Sequence, residues 1–134
     1  MDSIPIYIHE RDAVHRPDLV VDSVWTDPPA PSARDTVRFW ARLRNLGNAS
    51  TPAVGRSNRN PPVIFYANGV VRGSVRSLPA IRSLAAVKVH SDGTWTPAPG
   101  DYLIKAIGNK AKTFMEMSFD NNASYRMYRI NDGR

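Results

Sequence analysis

Trp40 stands between Arg38 and Arg42, with Arg44 two residues further on. In an extended strand, positions two apart share a face and lie about 7 Å from one another. A flat indole flanked by guanidinium groups can stack on a sugar ring and hydrogen-bond its hydroxyl or carboxylate groups. Two other uses of the same residues stay open: the arginine stems can simply cover Trp40, or Trp40 can pack against a neighbouring domain or the N-terminal segment. Trp25 and Tyr66 are further aromatic candidates. Tyr66 is flanked by the core candidates Phe65 and Ala67, so its side chain is expected to point outward. Trp95, just before a proline turn, is expected in the core. The ligand-binding set read from the sequence is Trp40, Arg38, Arg42, Tyr66 and Trp25.

Catalytic chemistry finds little support. The chain has no cysteine, so thiol catalysis and thiolate metal sites are excluded. Its histidines, His9, His15 and His90, include no pair at metal-ligand spacing. The glycines of Asn68–Gly73 open no helix and form no phosphate loop. Asp22, Asp27, Asp35 and Asp101 give no sign that two carboxylates share a cleft, as glycoside hydrolysis requires. No catalytic residue, cofactor or metal ligand is therefore expected, and the chain reads as non-enzymatic.

The elements that must position Trp40 are short. Eleven prolines and eight glycines spread over 134 residues close off long helices almost everywhere. No apolar run approaches the roughly 20 residues of a membrane helix. Thr36 to Arg44 is the clearest strand: Val37, Phe39, Ala41 and Leu43 share one face, Arg38, Trp40, Arg42 and Arg44 the other. Other strands are read at Leu19–Trp25, at Val63–Ala67 with an Asn68–Gly69 hairpin into Val70–Val71, and at Leu84–His90. Further ones follow at Tyr102–Ile107, Lys112–Met117 and Ser124–Ile130. Asn45 to Asn60 reads as a long loop. The expected fold is all-β, an immunoglobulin-like antiparallel β-sandwich of about seven strands. Val37, Phe39, Ala41, Leu43, Phe65, Tyr102 and Ile104 form the expected core. Residues 1–16, with a short strand at Ile4–Ile8, read as a linker or remnant of a preceding domain, and residues 17–134 as the sandwich.

Five stretches in order carry a resemblance: Pro17-Asp18-Leu19-Val20-Val21, Asp35-Thr36-Val37 leading into Leu43-Arg44-Asn45-Leu46-Gly47-Asn48, Phe65-Tyr66-Ala67-Asn68-Gly69, Trp95 to Tyr102, and Glu116 with Asp120-Asn121-Asn122. Together they resemble the cell-adhesion-related domain found in bacteria (CARDB). The resemblance implies an immunoglobulin-like module, a secreted or cell-surface setting and a non-catalytic role, often beside polysaccharide-acting domains. The family's closing segment is more acidic. Here Met117, Ser118 and Phe119 replace its middle, and Lys110 and Lys112 stand nearby. These lysines argue against a calcium site at Glu116 and Asp120. Asn121 and Asn122 are expected instead to bond backbone groups at the start of the last strand.

Net charge is +6 with pI near 10.1, which suits a polyanionic partner or simple solubility. The arginines are dispersed along the chain, whereas nucleic-acid binders concentrate charge on one face and interleave aromatics. Nucleic acid is therefore disfavoured. The expected partner is a polysaccharide, acidic ones included. The alternative is a structural spacer or adhesion domain that contacts neighbouring domains or other proteins.

Overall fold

The computed structural model describes residues 15–55, 60–110, 116 and 121–132. Among these residues seven strands form: β1 (Leu19–Asp27), β2 (Arg38–Asn45), β3 (Val63–Ala67), β4 (Val70–Val75), β5 (Ala86–His90), β6 (Gly100–Gly108) and β7 (Ala123–Ile130). They make two antiparallel sheets, one ordered β1-β2-β5 and one ordered β4-β3-β6-β7. The chain changes sheet between β2 and β3, between β4 and β5, and between β5 and β6. This is the crossing pattern of an immunoglobulin-like sandwich.

The period-two pattern of β2 sets the layering. Val37, Phe39, Ala41 and Leu43 are fully buried, while Arg38, Trp40, Arg42 and Arg44 are half-exposed on the opposite side. Phe39 lies at the centre, its ring stacked 5.3 Å from Phe65 of the other sheet and 5.5 Å from Trp95. Trp95 is core, as expected, but it sits in an isolated bridge to Val37 rather than in a strand. Tyr102, expected to be buried, is half-buried at the rim of the core. It meets Trp95 edge-on at 5.0 Å, and its hydroxyl donates to the Ala98 carbonyl.

Turn chemistry follows the sequence. Asn68 and Gly69 both have positive φ, 50° and 82°, as the tight β3–β4 hairpin requires. The expected Leu84–His90 strand begins later, at Ala86. Leu84 is exposed in a left-handed turn with φ 67°, because its N–H must reach back to the Asn45 carbonyl. Asn45 is fully buried and holds three segments together. Its Oδ1 accepts from the Asp18 and Gly47 N–H groups, and its Nδ2 donates to the Ala49 and Ile81 carbonyls.

Residues 1–14 of the expected linker, including the Ile4–Ile8 strand, lie outside the described residues. So does the Lys112–Met117 strand, apart from Glu116, which is not in a strand. Arg16 exchanges hydrogen bonds with Asn48: its N–H donates to Asn48 Oδ1, and its carbonyl accepts from the Asn48 N–H. The hydrogen-bonded frame therefore reaches one residue beyond Pro17.

Candidate functional site

The outer face of the three-stranded sheet carries a row of rings. Trp25 on β1 pairs directly with Trp40 on β2, and Trp40 pairs with His90 on β5. Directly opposed residues on a shared sheet face lie about 5 Å apart, so the side chains meet. The two indoles stack nearly parallel, 12° apart with centroids at 6.1 Å, and the His90 ring tilts against Trp40 at 4.9 Å. Both tryptophans are half-buried. Beside them is an open depression of about 390 Å³ lined by Trp25, Thr26, Asp27, Pro29, Trp40 and Lys88.

A β-bulge makes this pairing. The β1 register shifts between Val21 and Ser23, leaving Asp22 as an extra residue. Such an insertion re-phases the residues after it. Before the bulge, Leu19 and Val21 point inward; after it, Val24 and Thr26 do, so Trp25 is turned out toward Trp40. Without the extra residue, alternation from Val21 would carry Trp25 into the core.

The same bulge presents Asp22 to the arginines. Arg42 Nη1 donates to Asp22 Oδ2 at 2.7 Å, and Arg44 Nη2 lies 3.2 Å from the same oxygen. Arg42 is thus beside Trp40 but engaged within the protein. Arg38 lies opposite Asp27 in register, and its Nε is buried with no hydrogen-bond partner among the described residues. The structure brings together Trp40, Trp25, Arg38 and Arg42, and it adds Asp27, Lys88 and His90 to the face.

Tyr66 does not join them. Its strand, β3, belongs to the other sheet, so the expected extension of the Trp40 surface is corrected. Strand parity does take the side chain out of the core cluster, but Tyr66 is only 6% exposed. Its hydroxyl accepts from Lys110 Nζ at 2.8 Å, and the Lys105 and Lys110 ammonium groups lie 4.9 and 5.1 Å from its ring centre. Aromatic faces attract cations at such distances, and the lysines cover the ring.

A second polar group of interest sits at one end of the sandwich. The Glu116 carboxylate is buried. Its Oε1 accepts from the Leu19 N–H, and its Oε2 accepts from Asn109 Nδ2 and Asn122 Nδ2, each at 2.6 Å. Asn122 Nδ2 also donates to the Gly108 carbonyl, the backbone bonding expected at the start of the last strand, whereas Asn121 Nδ2, expected to do the same, donates to the Asp18 side chain. Burial pushes the Glu116 carboxyl above its ordinary value; three hydrogen bonds oppose the rise and the nearby Asp18 charge adds to it. Asp18 Oδ1, Asn121 Oδ1 and Asn122 Oδ1 are buried without a hydrogen-bond partner among the described residues. Polar interiors of this kind hold buried water.

No protein-family model matches the chain, and no curated protein matches it. Solved structures do. The CARDB domain of the PF1109 protein from Pyrococcus furiosus, crystallised in complex with di-metal ions, is 20% identical, with 87% of this chain and 96% of that chain covered and a TM-score of 0.68. The solution NMR structure of the same domain gives 20% identity, 88% and 98% coverage, and a TM-score of 0.64. A domain from Methanosarcina acetivorans, of a protein named for the cell surface, is 18% identical, with 86% and 92% covered and a TM-score of 0.66. This chain therefore has the fold of the CARDB domains, the family its sequence motifs resemble.

Proposed function

We propose that the chain is a non-catalytic accessory module of a secreted or cell-surface protein and that it binds polysaccharide on the Trp25–Trp40 face. The observation that carries this reading is the near-parallel indole pair held half-exposed beside an open depression. Large aromatics left on a sheet surface mark a contact site. Paired rings offer a sugar an apolar face, and Thr26, Asp27 and Lys88 supply the few polar groups that orient a ligand in such a depression. Asp27 is the sole carboxylate in that lining, whereas glycoside hydrolysis needs a pair. The setting is supported by the cell-surface protein among the similar structures.

Metal chemistry forms no part of the reading. The described residues contain no group of three His, Cys, Asp or Glu able to hold a metal. Of the pair considered for calcium, Asp120 lies outside the described residues, and Glu116 does not fit. Its two oxygens already face three N–H donors, whose partial positive charge repels a cation.

A spacer or adhesion role is the second reading. It is favoured by the apolar row Leu103, Tyr125 and Met127 on the outer face of the other sheet, with Met127 64% exposed. Affinity electrophoresis of the domain through gels holding neutral or acidic polysaccharides separates the two. Retardation by at least one polymer is expected. Unchanged mobility in all of them would leave the spacer reading.

A further inference from the structure

The outer face of the three-stranded sheet carries a charge arrangement that stacking alone does not explain. Arg42 and Lys88 are directly opposed partners of β2 and β5. Like charges in that relation destabilise a sheet. Arg44 adds a third cation two residues along β2, and Arg38 a fourth on the other side of Trp40. Against these stand two carboxylates. Asp22 lies on the β1 side, where one oxygen is shared by Arg42 and Arg44. Asp27 lies at the far end of β1, opposite Arg38. Lys88 has no ion-pair partner among the described residues, and it lines the depression with both tryptophans.

We propose that Lys88 and Arg42, beside Trp40, form an anion position that takes the carboxylate or sulfate group of an acidic polysaccharide whose rings stack on the indoles. This deepens the glycan reading and rests on it. The ligand's acid relieves the opposed charges that the free domain must carry. Asp22 fixes the Arg42 guanidinium at the sheet surface, and the Lys88 ammonium on its flexible stem closes over the bound acid group. The same charges without the indoles would suit a nucleic acid; the paired rings, with Arg42, Arg44 and Lys88 clustered to one side of them, suit a sugar bearing one acid per ring.

The test is calorimetric titration of the intact domain with polygalacturonate and with the same polymer fully methyl-esterified, which keeps the rings and masks the acids. Dextran sulfate and dextran serve as the sulfate pair. The acidic polymer of at least one pair is expected to bind more tightly than its uncharged partner, and raising NaCl from about 50 to about 500 mM should erase most of the difference. K88Q should weaken the acidic polymer by roughly two- to fivefold, the worth of one exposed charge contact, and weaken the uncharged one by a smaller factor. In the ligand-free domain K88Q should hold or raise the melting temperature, a readout that an ordinary structural lysine would move downward. Equal affinity for charged and uncharged polymers, with W40A abolishing both, would overturn the anion position and leave the glycan surface standing. Acid-dependent binding that W40A does not touch would overturn the surface itself, and the proposal with it. A K88Q domain that binds the acidic polymers as wild type does, or a wild type that prefers a single-stranded oligonucleotide to every polysaccharide, would also overturn the proposal.

Discussion

Replacing Phe39 with alanine strikes the point where both sheets meet. The ring is fully buried and stacked between Phe65 at 5.3 Å and Trp95 at 5.5 Å. Truncating a buried phenylalanine costs about 3–5 kcal/mol through lost burial and the cavity left behind. Losing two aromatic stacks, each worth roughly 0.5–1.5 kcal/mol, puts this site at the upper end, about 5 kcal/mol. The void has little means of closing. Its wall at Gly73 has no side chain to move in, and Ser91 is pinned by hydrogen bonds to the Phe39 backbone and the Gly93 carbonyl. For a domain of this size the loss should lower the melting temperature by roughly 15–25 °C. Urea unfolding followed by circular dichroism reads the free energy directly. A loss below about 2 kcal/mol with an unchanged denaturant slope would refute the placement of Phe39 at the core centre.

The remaining perturbations separate the surface from the frame. A double-mutant cycle of W25A and W40A, read by urea unfolding, should show a coupling of about 1 kcal/mol from the stacked pair; additive losses would mean the rings do not meet in solution. E116Q should cost about 3 kcal/mol, because its amide turns a donor toward the donors of Asn109 and Asn122. Burial raises the folded-state pKa of Glu116, so the unfolded chain gives up this proton first as pH rises. The group's contribution is therefore full below about pH 4.5 and declines as pH climbs through the raised value. Thermal melts across that range should lose this component in E116Q, and an identical pH dependence would contradict it. Millimolar calcium or EDTA should leave the melting temperature unchanged. A rise of several degrees with calcium would instead place a cation at the free oxygens of Asp18, Asn121 and Asn122.

How far the sequence reaches is clearest at β1 and β2. The alternation from Val37 to Arg44 assigns both faces of β2 correctly, since a regular strand has a fixed period of two. In β1 that rule fails after Asp22, because one extra residue inverts the phase and nothing in Val20–Trp25 marks the bulge in advance. Trp25 was therefore legible as an aromatic but not as the partner of Trp40. Parity also makes Trp40 a free surface side chain. Its contacts with Trp25 and His90 arise from register between strands, which a single strand cannot reveal. Tyr66 failed for a related reason: parity says which way a side chain leaves its own sheet, not which sheet it is on or what covers it. Lys88 and His90 stand in the Leu84–His90 run, whose apolar positions mark the buried face and carry no sign of the outer face shared with Trp40.

The central claim is that the Trp25–Trp40 face is the ligand surface, and the chain's three tryptophans allow a direct test. In ¹H–¹⁵N correlation spectra each indole N–H gives its own signal, and Trp95 serves as the internal control because it is core, packed on Phe39 and Tyr102. Titration with a polysaccharide that retards the domain should shift the Trp25 and Trp40 indole signals progressively and leave that of Trp95 in place. Shifts confined to Trp95, or to backbone amides of the β4-β3-β6-β7 sheet, would contradict the claim.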